Sequence, residues 1–505
     1  MQRSTDRLTY ASFAGAVAVW ALALFLTPIL PSVDYPQHLA LAAMLRRFTD
    51  ANSPERRLFE TNLVSYNGGF HVLTVALSFV LPIEIAGKVV LAAIGIGLAV
   101  AWTRIVVLTE RPASRVFAVL PLLGGYWFAW GFVNFGAGLA IGLFLVGRML
   151  APAETRRARV VDAALALLAC WAHLLAAAVC FLFCGIVALG RSSGDVRQRL
   201  STTLRLLSPL GLAVAYGAIV YLRQERSAYR NYEYARLEGL RPTVLAKIEG
   251  FGGFAAGLRT DRVDALLVWA VVLLTSLAFL LRDRDDRPTI DRLALLATSV
   301  TLFIALPHTF WATNFVYQRF AMLVVLFGVA AAPRARPPFE RAIGGGFVAI
   351  GVLGALLFVA SMRRAARELA DLDRFLHSAP PSLKVIGLIY QPGLSSFEPP
   401  ILLHAPALYV ARRGGESAFA FTRTMSLPLH YRFSEVPPSL PFNFEWSPWV
   451  YRADAAYARR FGVIFLKAPQ PNVRPEKLLG RAGITSAAML AHVGPYWLLR
   501  VDDIR

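Results

Sequence analysis

Ser32-Val33-Asp34-Tyr35-Pro36-Gln37-His38-Leu39 is the stretch on which the reading of this chain turns. It follows residues 11–30, which contain no charge and are long enough to cross a bilayer. That run is longer than the core of a secretory signal and lacks a small-x-small cleavage pattern before Asp34, so it is expected to be retained as a first span. Pro36 suits an early helical position, and Asp34 with Gln37 three residues on has the spacing of a capping box. Leu41, Met44, Leu45 and Phe48 then recur at i, i+3, i+4 and i+7, with Arg46 and Arg47 between them. This predicts an amphipathic helix lying on the membrane surface. Two readings of Asp34 stay open at this point. It caps that helix, or it is a general base or a metal ligand with His38, standing where lipid meets water.

Working outward, the 505 residues are 56% hydrophobic and only 17% charged, against roughly 25% charged for a soluble domain. That composition excludes a disordered chain, a disulfide scaffold and a coiled coil. Further spans are expected at residues 89–108, 116–132, 135–150, 160–171, 174–189, 206–222, 263–281, 293–306, 320–332 and 344–360. The fold class is therefore an all-α polytopic membrane bundle of about eleven transmembrane helices, with eleven to thirteen allowed. Residues 70–81, closed by Pro82, are too short for a span and fit a re-entrant or interfacial helix.

The net charge of +20 comes almost wholly from arginine, since there are only five lysines. A soluble protein with this charge would suggest nucleic acid as a partner. Here the arginines crowd into short loops (111–115, 156–159, 191–205, 282–292 and 334–341), where positive charge sets orientation. If 70–81 does not cross, all five loops share the cytoplasmic side with the N-terminus. The outer face then collects residues 34–66, Asn134, His173, 223–262, 307–319 and everything after 361. Four of the eight histidines (His38, His71, His173, His308) fall at that outer boundary, which points to external chemistry. Cys170, Cys180 and Cys184 lie in one apolar stretch without metal or redox spacing and read as buried thiols.

Two parts are expected: a bundle over 1–361 with external loops 31–69 and 223–262, and a soluble extracytoplasmic α/β or α+β domain over 362–505. In the latter, residues 363–376 read as an amphipathic helix, and 384–390, 463–467 and 497–501 as strands. Phe442, Phe444, Trp446, Trp449 and Tyr451 read as the core of that part rather than a sugar platform. Residues 126–130 (Tyr-Trp-Phe-Ala-Trp) read as an interfacial aromatic belt.

Beyond Asp34, the candidates for substrate binding are His38, Tyr66, Asn67, His173, Tyr232, Glu233, His308 and Arg319. Tyr66 and Asn67 precede Gly68-Gly69 and shape a turn into His71. His173 marks a tight turn where polar atoms are expensive in lipid. Tyr232 and Glu233 belong to an external segment mixing charge with aromatics. Arg319 heads a late span, where its planar fork suits phosphate oxygens, although an arginine snorkelling to lipid headgroups gives the same pattern. No P-loop, GxGxxG, HExxH or GxSxG pattern occurs.

A long first span, a carboxylate immediately outside it, a surface helix, an odd span count and an external C-terminal part together resemble the GT-C membrane glycosyltransferases, which include protein O-mannosyltransferases and lipid A aminoarabinose transferases. The resemblance covers about residues 1–360. It implies transfer of a hexosyl or pentosyl group, with inversion, from a polyprenyl-phosphate donor to a lipid, glycan or protein acceptor. Asp34 would stand at the catalytic position and Arg319 near the carrier phosphate. Many members carry an adjacent acidic pair, whereas Tyr35 follows Asp34 here. The expected location is a multi-pass position in a bacterial inner membrane with the site facing outward. The expected partners are the lipid-linked donor, the acceptor and membrane lipid, without nucleic acid. A divalent metal is allowed but no ligand set is assigned. The alternative is a transporter or flippase of a lipid-linked or anionic substrate, which calls for ionisable groups deep in the spans.

Overall fold

The computed structural model describes the chain except residues 1, 152–154, 226–241, 287, 310–312, 424–426, 442, 471–472 and 505, together with the side chains of 2–5 and 224–225. Each apolar run expected to span falls on helical structure, broken at 116–132 into a 3-10 turn and two four-residue helices. Among the described residues, seven helices are long and apolar enough to cross a membrane: Asp6–Leu26, Ile83–Leu108, Val133–Leu150, Leu174–Arg191, Val196–Arg223, Val263–Leu280 and Pro337–Glu368. Ala113–Ala129 and Tyr317–Ala331 are shorter apolar segments, and Arg156–Ala172 and Ile290–Ala305 occupy the remaining runs. The chain is an integral membrane protein.

Labelled in chain order, the helices used below are α1 (Gln2–Ala23), α2 (Tyr35–Phe48), α3 (Gly69–Leu77), α4 (Ile83–Leu108), α5 (Val133–Leu150), α6 (Arg156–Ala172), α7 (Leu174–Arg191), α8 (Pro337–Glu368), α9 (Ala370–Ser378) and α10 (Ala405–Arg413). The re-entrant or interfacial segment is α3. Its nine residues rise only about 13 Å, less than half of a hydrocarbon core. The last span runs on into the helix expected over 363–376, which is divided: its first part ends the 32-residue α8 at Glu368 and the rest forms the short α9 after Leu369. Phe358 of α8 sits between Trp20 of α1 (ring centroids 5.4 Å apart) and Phe128 (5.2 Å), which locks the first and last spans together.

Two expectations are corrected here. Helix α2 does not lie on a membrane surface, because every residue from Tyr35 to Leu45 is buried. It is sandwiched between α3 and the tail helix α10, so its polar face meets protein rather than water. The aromatic run at 126–130 is not an interfacial belt. Tyr126, Trp127 and Phe128 are buried, and the Trp127 indole donates to the Leu122 carbonyl at 3.1 Å. The run therefore forms an inner wall rather than a rim.

The tail carries a mixed five-stranded sheet. Its strands are β2 (Lys384–Ile389), β3 (Glu416–Ser417), β5 (Val463–Lys467), β6 (Ile484–Val493) and β7 (Tyr496–Ile504), in the order β3-β2-β5-β7-β6. β2 pairs in parallel with β3 and β5, and β7 is antiparallel to β5 and β6. The period-2 alternation of β5 divides its side chains between two cores. Val463 and Phe465 join the core continuous with the bundle, while Ile464 and Leu466 join a second core with Phe444, Tyr451 and Tyr457. Phe444 and Tyr451 are thus core, as expected, while Trp449 is exposed. A two-stranded ribbon of β1 (Phe59–Thr61) and β4 (Leu429–Tyr431) stitches the first loop to the tail. Arg412 on α10 adds ion pairs to Glu84 of α4 and Asp373 of α9. The tail is consequently clamped over the end of the bundle where α2 begins.

Candidate functional site

Asp34 enters its position through its backbone. Its N–H donates to the Trp130 carbonyl at 3.1 Å, Val33 N–H donates to Ala129 at 3.0 Å, and the Ser32 hydroxyl donates to Phe128 at 2.7 Å. Between these partners lies Gly131 at φ +78°, where a Cβ would come within 2.5 Å of the Tyr35 nitrogen and 2.8 Å of the Asp34 nitrogen. Only glycine accommodates both the left-handed backbone and that approach.

The capping box expected from Asp34 and Gln37 is not formed. Asp34 has φ −90° and ψ −13°, inside the helical region, and its side chain makes no cap hydrogen bond. A capping residue needs an extended backbone to turn its oxygen onto the first free N–H groups. Gln37 is engaged elsewhere, donating to the Phe419 carbonyl at 3.1 Å and accepting from the Phe421 N–H at 3.2 Å. The Asp34 carboxylate, about one-fifth exposed, faces His404 instead, with Oδ1 3.2 Å from Nε2.

His404 belongs to the tail and was not among the sequence candidates. Its ring is buried, lies flat on Phe419 (5.1 Å, 2° between planes) and meets Phe421 at its edge. It directly precedes α10, whose early Pro406 marks the helix start. A histidine before a proline-marked helix was visible in the sequence, but nothing there indicated its partner.

The other candidates converge on the same place. His38 is buried on α2, its Nδ1 3.0 Å from His71 Nε2, and His71 Nδ1 lies 2.8 Å from the Asn67 carbonyl. A carbonyl only accepts, so a neutral His71 carries its proton on Nδ1 and takes the His38 N–H on Nε2. The bare nitrogen of His38 is then Nε2. Burial drives the His38 pKa well below the ordinary histidine value, and repulsion from His71, His404, His173 and Arg319 lowers it further. Asn67 contributes its backbone, and Tyr66 beside it is partly buried. Gly68 serves packing rather than a special turn, since a Cβ there would lie 2.8 Å from the Trp171 ring.

Arg319 lies with its guanidinium carbon 3.8 Å from the Phe132 ring centroid, and its Nη2 donates to Asn314 at 3.2 Å. Its Nε is buried and has no partner among the described residues. Arg319 and Asp34 attract one another electrostatically, so the predicted acid and the predicted cation share one locality. His173 joins α6 to α7, accepts the Ala176 N–H on Nδ1 at 3.4 Å, and stands edge-on to Phe135, which also touches Arg319.

His308 is one step removed. Its Nδ1 pairs with Gln318 Nε2 at 2.8 Å and its ring abuts Phe315, so it positions the segment carrying Arg319. Tyr232 and Glu233 lie outside the described residues. Among the described residues no three His, Cys, Asp or Glu side chains are grouped to hold a metal ion. Of the ionisable residues within the spans, Arg148 pairs with Asp162 and Asp264 accepts from the Leu258 and Arg259 N–H groups, while Arg104 lies 5.5 Å over the Phe144 ring with Nε lacking a hydrogen-bond partner among the described residues.

No family model matches the chain, and no curated protein matches it. Among solved structures, the chain is similar to the arabinofuranosyltransferase AftD from Mycobacteria. The identity is 13% and the TM-score 0.52, over 97% of this chain and 40% of that one. A second similar structure is the oligosaccharyltransferase of Archaeoglobus fulgidus, solved with zinc and sulfate, at 13% identity and TM-score 0.42, over 95% of this chain and 72% of that one. The chain therefore spans well under half the length of AftD while aligning along nearly all of its own. A helical bundle with a carboxylate just past the first span and a C-terminal sheet closing over them is the fold the chain shares with the AftD structure.

Proposed function

We propose that this protein is a membrane glycosyltransferase that moves a sugar, with inversion, from a polyprenyl-phosphate donor to an acceptor on the extracytoplasmic face. The observation that carries the reading is that the Asp34 carboxylate is withheld from capping α2 and stands partly exposed against His404, within the electrostatic reach of Arg319. Asp34 accepts the proton of the attacking acceptor hydroxyl. The acceptor oxygen bonds to the anomeric carbon as its bond to the phosphate oxygen breaks, and the electron pair leaves with the polyprenyl phosphate. Arg319, braced on Phe132 with Nε unspent, meets the developing phosphate charge.

A lipid-linked donor fits a site built at the end of an apolar bundle. The outward orientation rests on the arginine-rich loops and on α3 being too short to cross. The pentosyl activity named for AftD makes pentoses part of the test panel. The test is purified full-length protein in nanodiscs with polyprenyl-phosphate-linked pentoses and hexoses and a mixed glycan, lipid and peptide acceptor pool. Label transfer that Asp34→Asn abolishes supports the reading. Equal transfer by Asp34→Asn refutes it, as does movement of intact donor into sealed vesicles without covalent change.

A further inference from the structure

We infer that His404 binds a hydroxyl of a glycan acceptor, in a cleft between α2 and the tail, and so couples acceptor binding to the Asp34 carboxylate. The inference rests on the glycosyl-transfer reading and adds the acceptor's subsite to it. An ionised carboxylate can only accept hydrogen bonds, so the ring nitrogen 3.2 Å from Asp34 Oδ1, Nε2, carries the proton. Nδ1 is then left with a lone pair. Among the described residues Nδ1 has no hydrogen-bond partner although it is buried, and the side chain is only 6% exposed. Buried acceptors in folded proteins are nearly always satisfied, and an orphan beside a cleft asks for a donor from outside the chain.

The cleft is present. His404 lines a small, partly open hollow together with Gln37, Ser417, Phe419, Phe444 and Glu445. Gln37 is already engaged by the Phe419 and Phe421 backbone, and His404 is the lining side chain that carries an unpartnered buried nitrogen. The ring is held for this task by its flat stack on Phe419. A ligand that donates an O–H beside two phenyl rings has a hydroxyl edge and an apolar face, which is the amphipathic character of a sugar ring. His404 is thus a positioning residue for Asp34 through Nε2 and a ligand-binding residue through Nδ1. The tail becomes part of the site rather than an appendage to it.

The experiment uses the full chain, labelled with 15N-histidine in nanodiscs, and probes of methyl α-D-arabinofuranoside, methyl α-D-mannopyranoside and N-acetylserinamide. His404→Phe assigns the resonance. Nδ1 is expected as an unprotonated nitrogen in the free protein, shifting towards the hydrogen-bonded range with at least one glycoside and not with the serine amide. In transfer assays His404→Phe is expected to raise acceptor KM at least tenfold more than donor KM. A protonated Nδ1, no shift with either glycoside, a shift with the serine amide alone, or equal changes in both KM values overturns the inference. The outcomes separate from those of the underlying reading. If Asp34→Asn abolishes transfer while the His404 signals fail, the transferase stands and the subsite falls. If Asp34→Asn transfers normally, both fall.

Discussion

His404 Nε2 lies 3.2 Å from Asp34 Oδ1, joining a residue of the C-terminal tail to the acid that follows the first span. Of the two readings of Asp34 that the sequence left open, the structure sets aside the cap. A cap would have turned the carboxylate back onto its own helix, where it would be spent on backbone N–H groups. It is turned instead towards His404 of the tail, and the charge of Arg319 acts on it through space.

Asp34→Asn tests that assignment with almost no change in shape. The amide cannot accept a proton, so turnover is expected to fall by about 10²- to 10⁴-fold, the range of a lost general base. The amide oxygen can still accept from His404 Nε2 but the charge facing His404 and Arg319 is lost, so a destabilisation of about 0.5–3 kcal/mol is expected. Label transfer and thermal unfolding in detergent read the two effects separately. A large loss of stability with proportionate loss of activity would return Asp34 to a structural role.

Arg319→Lys tests the phosphate assignment. The guanidinium carbon lies 3.8 Å from the Phe132 ring centroid, Nη2 donates to Asn314, and Nε has no partner among the described residues, so Nε is the donor left for a phosphate oxygen. Lysine keeps the charge but loses both the stacking plane and the fork. Donor KM is expected to rise about tenfold or more, with the acceptor KM nearly unchanged, and inorganic phosphate should inhibit the variant less than the parent. A merely snorkelling arginine would tolerate the exchange.

What the sequence made legible is what local chemistry records. Apolar runs announce spans because lipid acts on each segment alone, and the shortness of residues 70–81 already marked α3 as non-crossing. Asp34, His38, Asn67, His173 and Arg319 stood out as candidates because polar groups at the ends of such runs are costly without a purpose. The membrane-surface reading of α2 failed for a different reason. Periodicity shows that a helix has an apolar stripe, but not that a second layer covers its other side. Phe419 and Phe421, which cover Gln37 and His38, lie at the far end of the chain. His404 was missed on the same ground, since its role is created by a long-range contact. The capping-box spacing was present in the letters, and the chain's path past Gly131 and Trp130 overrode it.

Acid should destabilise the fold through His38. Burial, then its charged neighbours, lower its folded pKa well below the ordinary value of about 6.5. As the pH falls below that value the unfolded chain takes up a proton that the folded chain refuses, so stability is lost with falling pH. Thermal midpoints measured from pH 7.5 to 5 should decline, and His38→Asn should flatten the decline while lowering the midpoint at pH 7.5 through loss of the His71 contact. An unaltered slope in His38→Asn would show that the acid sensitivity lies elsewhere.

Gly131→Ala isolates the placement of Asp34 from its chemistry. The residue has φ +78°, and an added Cβ would meet the Tyr35 and Asp34 nitrogens at 2.5 and 2.8 Å, so the backbone must shift at the point where Asp34 hydrogen-bonds to Trp130. Strain of this kind costs about 1–3 kcal/mol. Moving a reacting group by about 1 Å can cost on the order of 100-fold in rate. The variant is therefore expected to lose kcat more than it raises either KM, although the substitution adds only one methyl group and touches no ionisable side chain. Gly253→Ala supplies the contrast, since that glycine is helical with open space around its Cβ position. It should be neutral or stabilising by about 0.5–1 kcal/mol with unchanged kcat. If the two alanine variants behaved alike, the backbone hold on Asp34 would not matter to turnover, and catalysis would have to rest on a different group.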